Sequence, residues 1–125
     1  MLQNLLFIGL GGFLGATSRY LVSLLFSQSP PVGTLIVNVV GSLVIGIFLA
    51  LALQTGLKQN SYLYLFFVTG VCGAFTTFSA FSQHNLVFLI EKNFMGFTLN
   101  VMANIALCLI ATFVGYVLIV KFVNT

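Results

Sequence analysis

Four apolar runs, each about twenty residues or longer, fill almost the whole chain, and short polar breakers separate them. A run of that length, wound as a helix, matches the hydrocarbon thickness of a bilayer. Only 4% of the 125 residues are charged and 60% are hydrophobic, against roughly 25% charged in ordinary soluble domains. A soluble fold of this size could not cover its surface with so few charges. Lipid is therefore the expected solvent, and the expected class is an all-α membrane protein of four transmembrane helices, with residues 1–125 forming one unit.

The first span runs from about Leu5 to Phe26 and ends at Ser27-Gln28-Ser29-Pro30-Pro31, a strong breaker. The second runs from about Gly33 to Gln54, the third from near Ser61 to about Ile90, and the fourth from about Phe94 to Phe122. Thr55 to Asn60 and Glu91-Lys92-Asn93 supply the other breaks. The first run is too long for a signal-peptide core and has no basic residue before it, so it reads as a retained helix. Cys72 and Cys108 both lie in apolar stretches without metal-ligand spacing and read as small core residues.

The fixed cations are Arg19, Lys58, Lys92 and Lys121, set against the single acid Glu91. They are too scattered to meet nucleic acid. Four spans put Lys58 and Lys121 on one side of the membrane, Arg19 and Lys92 on the other. The positive-inside rule then favours neither orientation, and insertion both ways up is the expectation.

The third span has an unusual centre: Gly70-Val71-Cys72-Gly73-Ala74-Phe75-Thr76-Thr77-Phe78-Ser79-Ala80-Phe81-Ser82. Two readings stay open on pattern alone. One is a continuous helix with a small-residue packing face. The other is a helix broken near its centre, tolerated at that depth only where the backbone is buried or lines a cavity.

Polar side chains within spans are costly and default to functional hypotheses. Thr34, Asn38, Gly41 and Ser42 share one face of span two; Asn100, Asn104, Cys108 and Thr112 step by four along span four, a slowly drifting stripe whose Asn104–Thr112 part is expected to hold one face; Ser79 and Ser82 lie one turn apart in span three. Such groups often glue helices together for about 0.6 kcal/mol per contact. Three stripes in one small chain, with a mid-span amide that must find partners, look more like a wet path. No Asp or Glu falls within a span, whereas cation and proton pathways normally need one. Hydroxyl and amide donors suit an anion instead. Arg19 reads either as a snorkelling anchor beside Tyr20 or as the cation of an electropositive vestibule. Phe78 and Phe81 interleave with Ser79 and Ser82, and the positive edge of a ring can meet a small anion without trapping it. The glycines of span one, such as the pair Gly11 and Gly15, read as packing. There is no nucleophile–base set and no metal cluster, so no enzyme is expected.

Taken together, three stretches resemble the Fluc (CrcB) family of fluoride channels. They are Gly11-Gly12-Phe13-Leu14-Gly15-Ala16 with Arg19-Tyr20, Gly33-Thr34-Leu35-Ile36-Val37-Asn38 with Gly41-Ser42, and the third-span centre from Gly70 to Ser82. They lie in three of the four spans, in the right order. The resemblance implies an antiparallel, dual-topology homodimer with two pores, exporting fluoride passively across the cell's inner or plasma membrane, with membrane lipid around it. It implies that Asn38, Phe78 and Phe81 match pore residues, that Ser79, Ser82 and Thr112 lie on the polar track, and that Arg19 is similar to a vestibule arginine. Thr34, on the Asn38 face, joins them as a candidate lining residue. It further implies a structural Na⁺ at the dimer centre, held by the backbone carbonyls of Gly73 and Thr76 from both subunits, and it favours the broken third helix. Ala74, Ala80, His84 and Cys108 depart from the family pattern, and His84, where the family often has glutamate, reads as a polar interface residue outside the site. The rival expectations are a small four-span multidrug or cation exporter and a non-transporting membrane protein. The exporter needs a first-span carboxylate, and this chain has none there.

Overall fold

A computed structural model describes residues 1–123, and throughout them the secondary structure is helical. Helix α1 is Leu2–Leu25 and α2 is Pro30–Thr55. Residues 62–75 form α3, in which Tyr62–Tyr64 and Gly73–Phe75 flank a π-helical stretch, Leu65–Cys72. Helix α4 is Phe78–Ile90, and α5 is Phe94–Val123. The segments Leu2–Leu25, Pro30–Thr55, Tyr62–Ile90 and Phe94–Phe122 are each long and apolar enough to cross a membrane. The chain is thus an all-helical, multi-pass membrane protein, and its outward surface carries large apolar side chains such as Leu25, Phe94, Leu109 and Phe122.

The ends of the helices follow local chemistry. Pro30 and Pro31, expected as part of the breaker, instead open α2 as its first two residues. Proline lacks only an N–H that the first turn leaves unpaired, and its fixed φ suits a helix start. Gly56 closes α2 in the left-handed region, φ 68°. Lys92 adopts φ 57° between α4 and α5. There the Asn93 N–H reaches back to the Phe88 carbonyl at 2.8 Å, and the Asn93 side chain caps the Gly96 N–H at 2.8 Å.

The bundle is held by backbones brought close over small residues rather than by a large apolar core. Among the described residues, the buried apolar side chains are Val37, Ala50, Cys72 and Ala111. On α1, Gly11 and Gly15 lie directly against the π-helical stretch: a Cβ at Gly15 would overlap the Val71 carbonyl oxygen. The packing role expected for these two glycines holds, whereas a Cβ at Gly9 or Gly12 would meet nothing within 4 Å. Between α2 and α5, Gly46 sits on the Thr112 carbonyl and Gly115 on that of Leu43. Gly46→Val is therefore expected to destabilise the bundle by about 1–3 kcal/mol, the range of overpacking, with Gly9→Ala near neutral. Thermal unfolding of the two variants in detergent checks this, and equal melting would refute the close contact.

Candidate functional site

Between Phe75 and Phe78 the chain leaves helical geometry. Thr76 has φ −78° and ψ 156°, and Thr77 has φ −151° and ψ 116°. Two extended residues at this depth expose amide groups that lipid cannot satisfy. Asn38 on α2 satisfies those of Thr77. Its Oδ1 accepts the Thr77 N–H at 2.8 Å, and its Nδ2 donates to the Thr77 carbonyl at 3.3 Å and to Asn104 Oδ1 at 3.1 Å. The amides then continue as a chain. Asn104 Nδ2 donates to the Asn100 carbonyl and side chain, Asn100 Nδ2 to Asn85 Oδ1, and Asn85 Nδ2 to the Phe81 carbonyl, all at 3.0 or 3.1 Å. Thr77 also starts α4: its Oγ1 accepts the Ala80 N–H at 3.2 Å and lies 3.0 Å from Ser79 Oγ. Among the described residues, no buried side-chain nitrogen or oxygen is left without a partner.

Two clefts meet at this segment. One, of about 300 Å³, is lined by Asn38, Thr76, Phe78, Phe81, Asn104 and Cys108, among others. The Phe78 and Phe81 rings are 5.3 Å apart and tilted by 44°. Phe81 is half-buried, while Phe78 is 78% exposed on the surface of the protomer. The other cleft, of about 330 Å³, is lined by Arg19 and Tyr20 of α1, Thr34 of α2 and His84 of α4, among others. Thr77 lines both. Thr77 thus stands between a hollow that holds Arg19 and a hollow bounded by two aromatic rings and two amides.

The expected residues divide across these clefts. Asn38, Phe78 and Phe81 come together in the aromatic cleft, and Arg19 and Thr34 in the cationic one. Ser79 and Ser82 are exposed on α4 and line neither. Thr112 also lines neither; its hydroxyl donates to the Cys108 carbonyl at 3.0 Å. Gly73 is exposed and Thr76 half-buried, at the end of α3. Sequence reasoning left out Thr77, Asn104 and His84 as site residues. A threonine three residues before the Ala80 N–H is a helix-cap signal that could have marked Thr77. The pairing of Asn85 with Asn100 and of Asn104 with Asn38 has no one-dimensional signature.

Four helices long and apolar enough to cross a membrane, with clefts among them that hold an arginine, hydroxyls and amides, define a multi-pass protein of the membrane-transport class. The chain belongs to the family described as CrcB-like protein, Camphor Resistance (CrcB), whose pattern matches residues 6–116. It is 44% identical over 122 residues to a protein of Campylobacter jejuni named fluoride-specific ion channel FluC, covering 94% of this chain and 98% of that one. Proteins of the same name from Campylobacter lari and Shewanella baltica are each 40% identical over 122 residues, covering 94% of this chain and 98% and 97% of theirs.

Proposed function

We propose that this chain is a fluoride-selective channel that lets fluoride leave the cell passively, and that it works as an antiparallel homodimer with two pores. The observation that carries the reading is that two clefts share Thr77 in their linings, one holding Arg19 and the other Phe78, Phe81, Asn38 and Asn104; in this reading they join into one ion path. The relatives' name supplies the ion. Fluoride is strongly hydrated, so a pore must replace its water at nearly equal strength. Arg19 raises the local anion concentration at the mouth. Beyond it the ion meets hydroxyls, amides and ring edges, which stabilise an anion without a full charge to hold it. Conduction needs binding weak enough to release the ion, and this lining provides that. Ser79 and Ser82, exposed beside Phe78, extend the polar face, and Thr112 on the next helix belongs to the same track in this reading. The single acid, Glu91, lies outside the four spans, which disfavours a proton-coupled exporter. Fluoride efflux from liposomes holding the purified protein, read with a fluoride electrode, tests the proposal; efflux no faster than from empty liposomes would end it.

The exposure of Phe78, Ser79 and Gly73 supports a dimer, because an aqueous ion path cannot be walled by lipid. A second copy against this face would close the aromatic cleft. The extended Thr76–Thr77 step supports the reading of the third span as a helix broken near its centre. It also suits a structural Na⁺. In an unbroken helix the Thr77 N–H would bond the Gly73 carbonyl and the Ala80 N–H that of Thr76. Here Thr77 N–H is held by Asn38 and Ala80 N–H by the Thr77 hydroxyl. The carbonyls of Gly73 and Thr76 are thereby relieved of their helical donors, and hard oxygen ligands of this kind fit a monovalent cation. Two such pairs from two subunits would bind it and fix the dimer centre.

Antiparallel assembly requires both insertion orientations. Lys58→Cys, in protein with Cys72 and Cys108 replaced by alanine, is expected to react with an impermeant thiol reagent from both sides of the membrane, about half from each, as equal cation counts imply. Labelling from one side alone would contradict dual topology.

A further inference from the structure

The cationic cleft also holds a histidine. His84 places its Nε2 3.0 Å from the Thr34 hydroxyl, and both line the cleft with Arg19. Thr34 is distinctive in what its hydroxyl does. Thr17, Thr55, Thr76 and Thr112 each donate to the carbonyl four residues back, at 2.7–3.0 Å. The Thr34 hydroxyl is bonded across to α4 instead. Its partner is the one side-chain type that changes charge near neutral pH, and it is the only histidine in the chain.

We propose that His84 is a proton-set control on how strongly the cationic cleft takes up the anion, a role that rests on the channel reading above. A neutral ring with Nε2 unprotonated accepts the Thr34 proton and withholds that donor from the path. Protonation converts Nε2 to a donor, so the bond reverses. The Thr34 hydroxyl then accepts from the ring, and its own proton is free to turn into the cleft. The imidazolium also adds a second positive charge to the lining that holds Arg19. One proton thus supplies both a charge and a hydroxyl donor to an incoming fluoride.

The surroundings of His84 leave this titration clear of competing acids. Arg19 and Tyr20 of α1 are the other titratable groups of the cleft. Helix α2 carries none, and on α5 Cys108 lines the other cleft, while Tyr116 and Lys121 lie further along. On α3 the titratable groups are Tyr62, Tyr64 and Cys72, none of which lines this cleft. Glu91 and Lys92 follow α4 about two turns beyond His84, roughly 10 Å along the helix axis.

Two measurements test the inference. The first is fluoride efflux from liposomes at graded fluoride, between pH 5.5 and 7.5, with protein-free liposomes subtracting permeation of the neutral acid. In the wild type the half-saturating fluoride concentration is expected to rise about tenfold with pH, the lower end of what charge focusing gives. In His84→Gln, which keeps a hydrogen-bonding side chain without the charge, it should stay at the high-pH value throughout. The same pH profile in both proteins would overturn the inference. The second needs no variant. The single imidazole, labelled with ¹⁵N in the wild type, is titrated by NMR with and without fluoride. Fluoride should raise the midpoint, because coupling between proton and anion is reciprocal; an unmoved midpoint would overturn the inference even if His84→Gln does not fold. A wild type that passes no fluoride would remove the channel reading itself. A wild type that conducts, with a profile unchanged in His84→Gln, would remove this inference alone.

Discussion

Phe81→Ile and Phe78→Ile should each reduce fluoride efflux to the level of empty liposomes, while the protein still elutes as a folded dimer. The two rings bound the cleft that Asn38 and Thr77 also line, 5.3 Å apart and tilted by 44°. In the proposed path the ion meets the edges of these rings, and the edge is the positive part of an aromatic quadrupole. Isoleucine keeps the bulk and the apolarity but has no such edge. A dehydrating fluoride would then face hydrocarbon where it had partial positive charge. Phe78, 78% exposed on the protomer, has little to lose in packing within it, so a loss of flux in a variant that still elutes as a dimer reports on the ion path. Isoleucine variants that conduct like the wild type would show that these rings only pack.

Asn38→Asp should lower flux by about a hundredfold or more, for two reasons that act together. Asn38 Nδ2 donates to the Thr77 carbonyl at 3.3 Å and to Asn104 Oδ1 at 3.1 Å. An ionised carboxylate can donate to neither and would face two acceptors. Losing two bonds at about 1.5 kcal/mol each corresponds to roughly a hundredfold shift in the population of the seated segment. The variant also places negative charge at the wall of an anion path. Asn38→Ala carries no charge but also loses the acceptor of the Thr77 N–H, so any flux it retains above that of Asn38→Asp is due to the missing charge alone. Equal flux in the wild type and Asn38→Asp would contradict both parts.

Much of the architecture was legible because one rule governs it. Lipid demands about twenty apolar residues per helix, and the four spans fall within a few residues of the expected limits. Pro30-Pro31 departs from the expected breaker because proline both ends one helix and begins the next. The site was less legible. Asn38, Phe78, Phe81, Arg19 and Thr34 were found because polar or aromatic groups in lipid stand out, and their meeting in two clefts needed the fold. A stripe stepping by four drifts around a helix of 3.6 residues per turn, which is why Thr112 is not brought to the cleft that Asn104 and Cys108 line. The amide chain from Asn85 through Asn100 and Asn104 to Asn38 joins three helices, and no local pattern encodes such a route. His84 read as an interface residue because its partner, Thr34, is fifty residues away in sequence.

The most direct measurement is the reversal potential of the purified protein in a planar bilayer, with fluoride and chloride gradients set in opposite directions. A channel whose path is built from Arg19, Thr77, Asn38, Phe78 and Phe81 should reverse close to the fluoride equilibrium potential, and reversing the sodium or proton gradient should not move it. A potential that follows chloride or a cation, or a bilayer that carries no current, would contradict the account.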